Sequence, residues 1–151
     1  MTAQGTAARP PVAVRRTGHA VGALTGAALL VLIHVWPGWQ VLPFLTPDTS
    51  RVLGILDAAL VAGILVHLLL LVRDDGWLPP AGLVVTSAFG LAVMVRVLQV
   101  FPFAFDSASH WDVVVRIVLV VGIVGAAVGL VVAAISLLRL VAAQTRGPAT
   151  P

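Results

Sequence analysis

The chain has 151 residues, of which 60% are hydrophobic and only 10% charged, with a mean hydropathy of +1.08 and a formal net charge of +3. A soluble domain carries roughly 25% charged residues, so this polypeptide cannot coat a water-facing surface and reads as a one-domain integral membrane protein. All nine basic residues are arginine and all six acidic residues are aspartate, and cysteine is absent, which excludes disulfides, thiolate catalysis and Cys-ligated metals.

Taken in chain order, residues 1–17 are rich in Pro, Ala, Thr and Arg and read as a disordered segment. A membrane-spanning helix needs ~20 mostly apolar residues, and four windows qualify. The first covers about 18–42, with Pro37 and Gly38 inside its outer end. The stretch that follows its apolar core, WPGWQVLPF, lacks a small-residue cleavage site, so this span reads as retained and not as a signal peptide. The second covers about 52–72, the third about 81–101 and the fourth about 112–140, long enough to tilt or extend past the bilayer. Residues 141–151 form a second disordered tail. The expected fold is all-α: an integral membrane up-down-up-down four-helix bundle.

Arginine placement gives the direction. Arg9, Arg15, Arg16, Arg73, Arg139 and Arg146 all fall on one side of a four-span chain, whereas the other side holds Asp48, Arg51, Asp106 and Asp112. Both termini are therefore expected in the cytoplasm of a bacterial cell with a cytoplasmic (inner) membrane. Trp36, Trp39 and Trp111 fall at the outer interface and Trp77 at the inner one, where amphipathic rings prefer to sit. The arginines form no basic stripe interleaved with aromatics, so nucleic acid is not an expected partner.

One short motif occurs twice. QVLPF at 40–44 and QVFPF at 99–103 are offset by 59 positions, and the same offset places span one on span three and Gly63-Ile64 on Gly122-Ile123. Tandem duplication of a two-helix hairpin explains this, with the copies related as parallel repeats. Convergence explains it too. Proline ends a helix at the outer surface, phenylalanine anchors the chain there, and a glutamine in the last turn can serve open carbonyls. The stretches WPGWQVLPFLTPD, VLGILDA and VRVLQVFPF resemble those of small four-span membrane proteins of GC-rich actinomycete bacteria. The resemblance covers most of residues 20–140 and implies the topology but no activity.

Three ionisable side chains fall inside the apolar windows near the outer side: Asp57 ~9 Å below Arg51, Arg96 ~8 Å below Phe101, and Arg116 ~6 Å below Asp112, at 1.5 Å per residue. A charge facing lipid at mid-span costs roughly 2.5–3.5 kcal/mol, so these groups are expected to turn inward and pair. Asp57 is expected to meet Arg96 between helices, and Asp112 to meet Arg116 one turn along span four. Gln99, Gln40 and His34 are candidates to complete this cluster. It reads either as a clasp fixing helix register or as a polar site opening outward.

The four histidines, His19, His34, His67 and His110, are expected at different depths, which argues against a haem or metal centre, and no cofactor is expected. His67 is expected to bond Thr86 or Ser87. The loop FDSASHWD holds Asp106, Ser107, Ser109, His110 and Asp112. These are the residue types of a hydrolytic triad, but one of Asp106, Ser107 or Ser109 capping span four is the stronger reading. Helix association in lipid relies on small residues. Gly18, Gly22 and Gly26 on span one, and Gly122, Ala126, Gly129 and Ala133 on span four, are expected to bring those two spans together and close the bundle; the alternative is a stripe facing a partner subunit or a second copy. The function expected is a non-enzymatic scaffold or accessory subunit. The alternatives are a small transporter or channel component with an outward-facing polar site, and a membrane enzyme using loop 105–112.

Overall fold

In the computed structural model, which describes residues 11–106 and 109–145, the chain forms four long helices. They are α1 (Val12–His34), α2 (Ser50–Val72), α3 (Leu78–Val100) and α4 (Trp111–Thr145). No strand occurs among the described residues. Each helix, α2 together with the short turn before it, is long and apolar enough to cross a membrane.

Proline and glycine set most of the ends. α1 stops at His34, eight residues before the expected limit. Pro37 cannot continue a helix and restrains the residue before it. The Trp36–Pro37 bond is cis, and the chain then makes a 3-10 turn at Trp39–Val41. A second 3-10 turn, Pro47–Thr49, leads into α2. Gly76, at φ +59°, turns the chain between α2 and α3, a backbone conformation that favours glycine. Pro79 and Pro80 then sit at the start of α3, where a missing N–H costs nothing. α3 ends in a residue that is not glycine: Phe101 adopts the left-handed conformation (φ 44°) while its N–H bonds the Val97 carbonyl at 2.7 Å.

Two boundaries differ at the other end of the molecule. α1 begins at Val12, so residues 12–17 are helical, and α4 runs to Thr145, so 141–145 are helical. Residues 1–10 and 146–151 lie outside the described residues, as do Arg9, Arg146 and Ser107.

The helices pack in sequence, α1 on α2, α2 on α3 and α3 on α4. The packing of α1 against α4 expected from their small-residue stripes is not among these contacts. Gly22 and Gly26 face α2 instead. A Cβ on Gly22 would lie 2.5 Å from Nε2 of His67, and one on Gly26 would lie 2.8 Å from Cγ1 of Ile64. Gly82 of α3 faces α2 as tightly, 2.7 Å from Cγ1 of Val66. On α4, a Cβ on Gly122 would lie 3.1 Å from Sδ of Met94 on α3 and Ala133 is buried, whereas Gly125 and Gly129 of α4, and Gly18 of α1, have open space where a side chain would go. The glycines thus serve neighbours in the chain. Close approach of neighbouring backbones needs small residues wherever a bulky side chain crosses.

Candidate functional site

The end of the molecule that carries the two longer connections is called here the loop end; the other, at residues 73–77, is the hairpin end. At the loop end, the last residue of α1 meets the second turn of α2: His34 Nε2 lies 2.7 Å from Asp57 Oδ1. An ionised carboxylate only accepts, so the imidazole donates from Nε2. The two side chains are 42% and 34% exposed. The partner expected for Asp57, Arg96, points elsewhere. Its Nε donates to the Arg51 carbonyl at 3.3 Å, and Arg51 itself pairs with Asp48 at 3.3 Å. Asp57 therefore lies on the α1 side of α2, and the early end of α1 brings His34 down to its level.

Arg116 does not pair with Asp112 either. Its guanidinium carbon lies 3.7 Å from the centre of the Phe101 ring, a stacked cation–π contact. Phe101 meets Phe103 edge-on at 5.4 Å, and Phe103 stacks on Phe105 at 5.9 Å. These contacts hold Phe101 in a conformation that costs a non-glycine residue roughly 1–2 kcal/mol. Gln40 and Gln99 are both exposed and join neither polar contact.

The repeated motif accounts for how the loop end closes. Thr46 N donates to the Pro102 carbonyl at 3.0 Å, and Ala104 N donates to the Phe44 carbonyl at 2.9 Å, with Leu45 opposite Phe103 in an isolated antiparallel bridge. Each motif thus accepts a bond from a residue just after the other. Beneath the first lies an apolar cavity of about 330 Å³, walled by Leu32, Ile33, Trp39, Leu42, Leu53 and Leu56 among others.

Towards the hairpin end, the α1–α2 seam carries two more contacts. Arg15 Nε and Asp74 Oδ2 are 3.0 Å apart and largely covered; the N–H is poorly aligned with the oxygen, so the contact is ionic and not a good hydrogen bond. One turn further in, Nδ1 of His19 lies 3.3 Å from Nδ1 of His67. His67 does not bond Thr86 or Ser87: the Thr86 hydroxyl donates back to the carbonyls of Gly82 and Leu83. Two cavities adjoin this pair. One of about 200 Å³ is lined by His19, His67 and Thr86; the other, about 380 Å³, runs from His67 past Thr25 to Ala59 and Leu60.

The expectation that the histidines stay at separate depths fails for His19 and His67. Its cause is the start of α1. Six extra residues, about 9 Å of helix, put His19 well inside the span and level with His67. A hairpin register would have shown this, because Gly26 opposite Ile64 brings Gly22 to His67 one turn later. Among the described residues no group of three or more His or Asp side chains is placed to hold a metal ion. In the connection between α3 and α4 the Ser109 hydroxyl donates to the Asp106 carbonyl at 2.7 Å, and His110 contributes its carbonyl to the first turn of α4.

Searches of family models, curated proteins and solved structures return no match to this chain.

Proposed function

We propose that this protein is a polytopic protein of a bacterial cytoplasmic membrane, with both termini cytoplasmic, acting as a non-enzymatic scaffold or accessory subunit. One observation carries the reading: the three ionisable groups set inside the loop-end half of the spans below the first turn, Asp57, Arg96 and Arg116, are each engaged by their own chain. Asp57 binds His34, Arg96 binds the Arg51 carbonyl, and Arg116 stacks on Phe101. Groups spent in this way hold helices in register. The scheme is a clasp, as the sequence suggests, with His34 in the place expected for Arg96. The arginine bias towards the hairpin end supports the orientation. The 59-residue offset between the two QVxPF segments, each at the same end of its helix pair, supports an origin by hairpin duplication. Lipid is the surrounding partner; the outward faces of α1 and α4, each packed on one neighbour, are where another membrane protein or a second copy would bind.

The test compares Asp57→Asn with wild type for stability in mild detergent and for the protein's assembly in its native membrane. A clasp loses stability and assembly together. Normal stability and assembly, combined with loss of solute uptake by reconstituted vesicles, would overturn this reading in favour of a small transporter with an outward-facing polar site.

A further inference from the structure

The two imidazoles of the α1–α2 seam meet head-on. A five-membered ring with bonds near 1.33 Å places each nitrogen about 1.1 Å from the ring centre. With Nδ1 to Nδ1 at 3.3 Å and ring centres at 5.6 Å, the two centres and the two nitrogens lie close to one line. Each lone-pair direction therefore points at the other nitrogen. Ligands of a tetrahedral metal converge instead on a point off that line. The in-line arrangement suits a single hydrogen shared as N–H···N, which requires one Nδ1 to carry the proton and the other to be bare.

The surroundings extend this pair in both directions. On the hairpin side stand Arg15 and Asp74 one turn away, with Arg16, Arg73 and Asp75 around the same opening. From α3, Thr86 is the polar side chain that lines both adjoining cavities. The Nε2 tip of His67 lies against the backbone of Gly22, at the edge of the cavity of about 380 Å³ that also exposes Thr25. This space is an open groove, and Thr25, His67 and Thr86 are the polar groups along it that a bound water could use. The cavity reaches Ala59, less than one helical turn from Asp57, whose carboxylate holds His34 at the loop end.

We propose that the α1–α2 seam conducts protons across the membrane and that the His19–His67 pair is its relay. With His19 as donor, a proton arriving from the hairpin side binds His19 Nε2. The Nδ1–H bond of His19 breaks as the Nδ1–H bond of His67 forms. His67, now the cation, releases its Nε2 proton to water in the larger cavity, from which it passes to the His34–Asp57 pair. One proton enters and one leaves, and no electrons move. Both rings end in the opposite tautomer and must exchange before the next transfer, so the relay passes single protons and not hydrated cations. The relay ends at the His34–Asp57 pair and so shares that contact with the clasp, but the two readings fail differently: a non-conducting seam leaves the clasp intact, and the relay is tested at His19 and His67, which the clasp does not include.

The full-length protein is reconstituted into phosphatidylethanolamine–phosphatidylglycerol vesicles containing a pH-sensitive dye, and a potassium diffusion potential drives protons inward. Wild type is expected to acidify the lumen well above protein-free vesicles, without sodium uptake. Loss of a proton-transferring group costs roughly a hundredfold, so His67→Gln and His19→Gln should each fall to the protein-free rate, and Gly22→Ala, which retains both imidazoles but displaces the His67 ring, should fall too. Ser136→Ala on α4 should match wild type. Nitrogen-15 spectra of histidine-labelled wild type should show, among its four imidazoles, one Nδ1–H ring and one Nε2–H ring coupled through a shared hydrogen, a readout that does not depend on the variants folding. Wild-type flux equal to empty vesicles, full flux in His67→Gln, sodium uptake, or spectra with no imidazole pair coupled through a shared hydrogen would each overturn the proposal.

Discussion

Replacing Gly82 by alanine tests the packing directly. The added methyl would sit 2.7 Å from Cγ1 of Val66 and 3.3 Å from Cδ1 of Leu70. Valine in a helix has one strongly preferred rotamer, so Val66 cannot swing aside, and either the methyl is compressed or α2 and α3 separate. Overpacking of this kind costs typically 1–3 kcal/mol. The usual gain of alanine over glycine in helix propensity offsets little of this, because a helix unfolded from its neighbours in lipid or detergent is still a helix. Gly129→Ala supplies the control, since its methyl enters open space and should change stability by less than about 0.5 kcal/mol. Unfolding by dodecyl sulfate in mild detergent, followed by tryptophan fluorescence, reads both. Adding Val66→Ala to Gly82→Ala removes the atom that is struck, and the pair should show a favourable coupling of about 1 kcal/mol or more. Gly129→Ala as damaging as Gly82→Ala would refute the reasoning, because the α4 stripe would then be packed and the helices not arranged as described.

Three further outcomes are expected. Asp57→Leu alone should destabilise by roughly 1–2 kcal/mol, below the full value of a charged hydrogen bond because the pair is partly exposed; adding His34→Leu should recover part of the loss in the same dodecyl sulfate titration. Leu45→Cys with Phe103→Cys should oxidise readily to an intramolecular disulfide, seen as a mobility shift reversed by reductant. Residues facing each other at a non-hydrogen-bonded antiparallel position have Cα atoms about 4.5 Å apart, within disulfide range, and the chain has no other cysteine. Arg116→Gln should cost about 0.5–2 kcal/mol through the lost stacking on Phe101, measured by thermal unfolding, and Phe101→Leu should make Arg116→Gln nearly silent.

Much of the architecture is legible in the sequence because lipid imposes it. An apolar run of the right length has to be a helix, since the bilayer core leaves no other way to satisfy backbone N–H and C=O groups. Hence the number of helices, and the ends of α2 and α3 to within a few residues, follow from hydropathy alone. The start of α1 does not, because its first turns, Val12 to Thr17, carry Arg15 and Arg16 and look like a polar tail. Their helix is supported by tertiary contact, with Arg15 held by Asp74 across the seam.

Which residues meet is a matter of helix rotation and register, and composition carries neither. The depth of Asp57 is readable from counting residues; that it turns towards α1 and takes His34, leaving Arg96 to the Arg51 carbonyl, depends on how α2 sits between two neighbours. The glycine stripe of α1 is visible as a pattern, but its partner, α2 and not α4, is decided by which side chains face it, His67 and Ile64 of α2. The opposed nitrogens of His19 and His67 belong wholly to the tertiary structure. A shift of one residue along either helix would turn a side chain by about 100°, the angle implied by 3.6 residues per turn, and the two rings would no longer face.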